Sequence, residues 1–162
     1  MSDPTLPESA ARVAQQLLAL GHPHSVVMLP STGKTSAEAA AGLGCQVAEI
    51  AKSIVFRRQA DDAAVMVIAS GSNRVDEAKL SAIVGPLSKA DANFVRAKTG
   101  YAIGGVCPIG HPQQNVLLID QDLQNYPRIW AAAGHPHAVF ALSCAELQAM
   151  TGAPLVDIAQ RP

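Results

Sequence analysis

The sequence predicts a mixed α+β domain, and three observations carry the prediction. Segments with helical apolar spacing and recognisable caps alternate with short β-branched runs, and two of those runs flank a tight polar turn. The third is that 162 residues with 49% hydrophobic content suffice for one sizeable core without crosslinks. A single compact domain over residues 1–162 is expected, with residues 1–7 as a flexible N-terminus. Only 4% of residues are aromatic, so Ala, Val, Leu and Ile must build most of the core.

In chain order, residues 8–20 place Val13, Leu17, Leu18 and Leu20 on a mostly helical period, and Gly21 follows where a left-handed residue ends a helix. HSVVML at 24–29 is a short β-branched run and reads as a strand. TSAEAAAGLG at 35–44 opens with Thr35 and Glu38 at capping-box spacing and reads as a helix. AKSIVFRRQ and AAVMVIAS flank Ala60-Asp61-Asp62 and predict an antiparallel hairpin. SGSNRVDEAKL carries Arg74 and Lys79 near a helix start, the composition of a solvated face. The hydroxyl-x-x-acid signature recurs at Ser88–Asp91 and at Ser143–Glu146, each ahead of a helix-compatible segment that closes at Gly100 or Gly152. NVLLID at 115–120 has the continuous apolar character of a buried strand. GHPHSVV at 21 and GHPHAVF at 134 echo each other, but two copies of seven residues mark turns and not a duplication.

Composition excludes several function classes. A formal charge of -1 argues against a globally basic nucleic-acid binder and against DNA as a partner, while a local Lys/Arg patch is still compatible with an RNA backbone. Cys45, Cys107 and Cys144 are odd in number and widely spaced, which fits a reducing cytoplasm better than a disulfide framework or a zinc site. The start, MSDPTLPESA, lacks the apolar stretch of a signal peptide, and no run approaches the length of a membrane span, so a protein of the cytoplasm is expected. The paired His22/His24 and His135/His137 bracket prolines, a turn pattern with no acidic or cysteine cluster to complete a metal site. No metal and no cofactor is expected, since GxGxxG, GxxxxGK[ST] and GxSxG are all missing.

The richest segment for chemistry is GYAIGGVCPIGHP, 100–112, with Gly100, Gly104, Gly105 and Gly110 among its residues. Glycines leave backbone N–H groups open to a ligand with no β-carbon in the way, which is how an oxyanion hole is made. Cys107 in the same loop is a candidate nucleophile with His111 four residues on, or else a small apolar filler. Lys52, ahead of the apolar run SIVF, either snorkels from a strand end or serves as a charged group in a pocket.

Taken together, TSAEAAAGLG, VAEIAKSIVF, VMVIASGSNRVDEAKL, TGYAIGGVCPIG, VLLID and LSCAELQAMTGAPLVDIA resemble, in that order along the chain, the YbaK family, free-standing relatives of the editing domain of bacterial prolyl-tRNA synthetases. The lysine of KSIVF and the Gly104-x-x-x-Pro108 frame are the specific elements. The resemblance implies a mixed, partly barrel-like sheet flanked by helices. It implies a deacylase that hydrolyses the ester between a wrong amino acid and the terminal adenosine of a tRNA, with a synthetase as a candidate partner.

On that resemblance, the amides of Gly104 and Gly105 polarise the ester carbonyl, Lys52 positions the substrate, and Pro108 braces the loop. Thr35, Ser36, Ile103, Cys107 and Pro108 are the candidates for lining the substrate pocket, and a hydroxyl of the substrate's own adenosine helps orient the water. Family members carry an aromatic near the helix that starts here at Thr35, and a serine and an aspartate near the segment AAAGHPHAVF. This chain has none of those side chains, so alanine, cysteine, serine and threonine esters all stand as substrates. Two other readings are a non-catalytic module that binds an aminoacyl end or RNA, and a small hydrolase that uses the Cys107 thiol.

Overall fold

The structure, a computed structural model, describes residues 6–30 and 35–161. Its elements run α1 (Glu8–Ala19), β1 (Val26–Met28), α2 (Ser36–Leu43), β2 (Ile50–Arg58), β3 (Ala64–Ser70), α3 (Glu77–Val84), β4 (Leu87–Lys89), α4 (Ala92–Thr99), β5 (Val116–Asp120), β6 (Ile129–Ala132), β7 (Ala138–Leu142), α5 (Cys144–Thr151) and β8 (Leu155–Val156). The expected mixed sheet with flanking helices is present. Its strand order is β1-β7-β6-β2-β3-β5-β8, and β4 branches off to pair with β2.

Caps set the helix bounds. Thr35 accepts the Glu38 amide at 3.1 Å, Ser143 and Glu146 form a full capping box, and Gly44, Gly100 and Gly152 end their helices in the left-handed conformation. One cap differs from expectation: Asp91, not Ser88, opens α4 by accepting the Phe94 amide at 2.8 Å. Ser88 lies instead in β4, against Arg57 of β2, because a three-residue strand leaves no period to read in sequence. Residues 1–5 of the expected flexible N-terminus lie outside the described residues; Leu6 packs on the core and Pro7 precedes α1 as its N-cap residue.

The predicted hairpin forms as β2 and β3, paired antiparallel from Ala51–Ser70 to Arg57–Ala64. All seven residues of β3 are buried, which explains the unbroken apolar run AVMVIAS in a strand covered on both faces. Strand alternation sends Met66 and Ile68 into one cluster with Val13 and Leu17 of α1, and Val65 and Val67 into another with Leu80 of α3. Among the described residues no helix is long and apolar enough to cross a membrane.

Candidate active site at a break in the sheet

The site begins with the backbone of β2. Ile50 O accepts the Gly71 amide at 2.7 Å, and the Arg58 amide donates to Ala63 O at 2.9 Å. With the antiparallel register, the even residues of β2 therefore bond to β3 and the odd residues turn their N–H and C=O to the opposite edge. On that edge β6 pairs only as far as Ala51–Ala131, and β4 pairs only from Phe56 onward. Between them the edge at Ser53 has no strand beside it.

The glycine loop lies over this opening. A cleft of about 110 Å³ is lined there by Ser36 of α2, Lys52 and Ser53 of β2, Gly104 and Val106 of the loop, and Trp130 of β6, with Pro136 at its wall. Its size corresponds to a few water molecules, so it has room for one small end of a ligand and not for a nucleoside.

Lys52 is half-buried, and its ammonium donates to Asn73 O at 2.5 Å, with Gly71 O at 3.5 Å. The loop that offers these carbonyls is held from below by Asp120, a fully buried carboxylate that accepts the Ser70 amide at 3.1 Å and Asn73 Nδ2 at 2.8 Å. Asn73 Nδ2 also donates to Asp122, which in turn accepts Arg161. Burial lowers the Lys52 ammonium below the ordinary lysine value, Arg74 adds to that, and Asp120 opposes it. The sequence thus places a cation with a partly relieved desolvation cost at the cleft wall.

Gly104 has φ +97°, a conformation that suits glycine, and stands exposed at the cleft. Neither its N–H nor that of Val106 meets a backbone acceptor among the described residues. The Gly105 amide is different: it donates to Ala102 O at 3.0 Å within the loop. Gly105 therefore sits at a packing position with its amide bonded inside the loop, and a β-carbon there would lie 2.7 Å from His135 N and 2.8 Å from its Cα.

Two further candidates move away from the cleft. Cys107 is fully buried in the main core and is not among the described residues that line the cleft, and burial pushes its thiol up to about 12. His111, its supposed base, has both ring nitrogens engaged: Nε2 donates to Cys107 O at 2.8 Å and Nδ1 accepts Asn115 Nδ2 at 2.9 Å. Pro108 is buried and borders a separate groove with His111 and Pro154. Tyr101 OH ties the same loop by donating to Ile109 O at 2.7 Å.

The rest divide. Ser36 lines the cleft, Thr35 is exposed and committed to capping α2, and Ile103, 59% exposed, borders a neighbouring apolar cavity with Val55 and Val95. His22 Nε2 donates to Ala141 O at 2.8 Å, and the His137 amide donates to His135 Nδ1, so both His-Pro-His segments have turn-building contacts. Among the described residues no group of three His, Cys, Asp or Glu is placed to hold a metal ion. Residues that the sequence reading passed over are Ser53, Asn73, Val106, Asp120 and Trp130. Only the acid closing NVLLID gave any local signal, a carboxylate at the end of a buried strand.

Comparison with known proteins agrees with this fold. Over 97% of its length the chain superposes with TM-score 0.90 on a structure described as a candidate trans-editing enzyme for prolyl-tRNA synthetase, 41% identical and covered in full. A second structure, that of the hypothetical protein APE2540, is 30% identical with TM-score 0.84 over 92% of this chain and 99% of its own. The uncharacterised protein YwhH of Bacillus subtilis (strain 168) is 28% identical over 125 residues, 76% of this chain and 79% of its own. Residues 30–150, which include Lys52, the glycine loop and Trp130, match the family model of the aminoacyl-tRNA editing domain, and the chain belongs to that family.

Proposed function

We propose that the protein hydrolyses the ester between a small amino acid and the terminal adenosine of a mischarged tRNA. The observation that carries the reading is the meeting, over a gap in the sheet, of Lys52 with loop amides that meet no backbone acceptor among the described residues, around a cleft sized for a small acyl group. In this reading the ester carbonyl accepts the Gly104 amide, with Val106 as the second donor. Water attacks the acyl carbon, the charge that develops on the carbonyl oxygen is held by those donors, and the intermediate collapses with cleavage of the acyl–ribose bond. The ribose oxygen leaves with a proton. One such donor is typically worth about 2.7–4 kcal/mol of barrier.

Lys52 carries the positive charge that orients the ester and the neighbouring nucleotide. Among the described residues no carboxylate or histidine lines the cleft as a base, which fits help from a hydroxyl of the substrate's own adenosine, as the family likeness suggests. The likeness to a candidate trans-editing enzyme for prolyl-tRNA synthetase makes misacylated tRNA of that synthetase the first substrate to test. The test is deacylation of a panel of tRNAs carrying alanine, cysteine, serine, threonine or proline. Selective release of one small amino acid supports the reading. Tight binding of the aminoacyl end with no release from any member favours the non-catalytic module.

A further inference from the structure

Ser53 presents three polar groups without partners among the described residues. Its N–H and C=O face the opening between β6 and β4, and its hydroxyl is buried with no hydrogen-bond partner among the described residues. A buried hydroxyl left unpaired weakens the fold, so such groups are rare and call for an explanation. Here the residue lines the cleft, between Lys52 and the glycine loop.

The polar groups around that cleft are unevenly distributed. The loop amides of Gly104 and Val106 and the Lys52 ammonium are donors, and so is Trp130 Nε1, itself buried without a partner among the described residues. An ester carbonyl and ribose oxygens are acceptors and belong with those groups. The remaining polar group of an aminoacyl end is its α-ammonium, which needs acceptors. Ser53 supplies two, its main-chain carbonyl and its Oγ. Strand alternation keeps the Lys52 and Ser53 side chains on opposite faces of β2, and Lys52 is tied to Asn73 O, so the two positive charges do not compete for one position.

We propose that Ser53 holds the α-ammonium group of the aminoacyl end through its main-chain carbonyl and its hydroxyl, the latter turning into the cleft by rotation about one bond. The assignment rests on the reading of the cleft as an aminoacyl-ester site. It gives the enzyme a means of selecting a free amino acid over a blocked or peptidyl one.

The test is calorimetric titration with 3′-(L-alanylamino)-3′-deoxyadenosine, whose amide is not cleaved, and with its N-acetyl derivative. Wild type is expected to bind the free amine at least tenfold more tightly than the acetylated form. Ser53→Ala is expected to lose about tenfold in affinity for the free amine and to change less than twofold toward the acetylated probe. Ser53→Thr, which keeps the hydroxyl, restores the preference and separates a positioning role from a packing one. Equal weakening of both probes in Ser53→Ala, or unchanged affinity for the free amine, overturns the role of Ser53 while leaving the aminoacyl site intact. Failure of wild type to bind either probe overturns the aminoacyl reading and this assignment with it.

Discussion

Replacement of Gly105 by alanine separates a loop held by packing from one that is merely glycine-rich. The added β-carbon would meet His135 N at 2.7 Å, Cα at 2.8 Å and C at 2.9 Å, against ordinary contacts of about 3.5–4.0 Å. All three neighbours are backbone, and His135 O is already bound by the Ala138 amide at 2.9 Å, so the turn before β7 has little freedom to yield. The loop must move by roughly half an ångström or more. Overpacking of this kind costs about 1–3 kcal/mol. For a chain of this length about 2 kcal/mol lowers Tm by about 4–8 °C. The same shift displaces Gly104, and a misplacement approaching 1 Å costs about 100-fold in rate. Thermal melting and single-turnover deacylation, both run on Gly105→Ala, measure the two effects. A variant with wild-type Tm and wild-type turnover would refute the packing of the loop on 134–136 and, with it, the alignment of the Gly104 amide.

Three other outcomes follow from the same contacts. Cys107→Ala should retain deacylation within a few-fold, and iodoacetamide at pH 8 should leave activity unchanged, because the thiol is sealed in the core and pushed up to about 12; inactivation that Cys107→Ala abolishes would restore the thiol reading. Burial lowers His111 below its ordinary value of 6.5, so the folded state prefers the neutral ring, and its contribution is full above about pH 6.5 and lost as pH falls through the folded value. Wild type should therefore lose more Tm between pH 7 and pH 5 than His111→Gln, and parallel profiles would remove His111 as the cause. Lys52 titrates below the ordinary lysine value, so net deacylation, corrected for spontaneous hydrolysis, should decline on the alkaline side before an unperturbed lysine would lose its proton.

The helices were legible because their ends carry local chemistry: Thr35, Ser143 and the closing glycines act within a few residues of themselves. The β2–β3 hairpin was legible for a similar reason, two apolar runs joined across Asp61 and Asp62. The strands β4 and β8 span three and two residues and pair only with β2 and β5, far off in sequence, which no local period reveals. The site divides along the same line. Lys52 and Gly104 were readable from a motif, and the structure brings both to one cleft. Ser53 and Trp130 depend on where two neighbouring strands stop pairing with β2, and the Asp120–Asn73 support on the pairing of β3 with β5, properties of register that are set by the whole sheet. The internal bond of the Gly105 amide and the burial of Cys107 were not legible, because a glycine-rich loop does not disclose which of its amides are internally bonded and which of its side chains point inward.

The central claim is that the cleft at Lys52 hydrolyses aminoacyl esters. Its most direct test is deacylation of alanyl-, cysteinyl-, seryl-, threonyl- and prolyl-tRNA by the purified protein, with Lys52→Ala measured beside it and its fold checked by circular dichroism. The account predicts selective release of one small amino acid, with kcat/KM at least 100-fold lower in the folded variant. Absence of release from every tRNA, or full activity in Lys52→Ala, would contradict it.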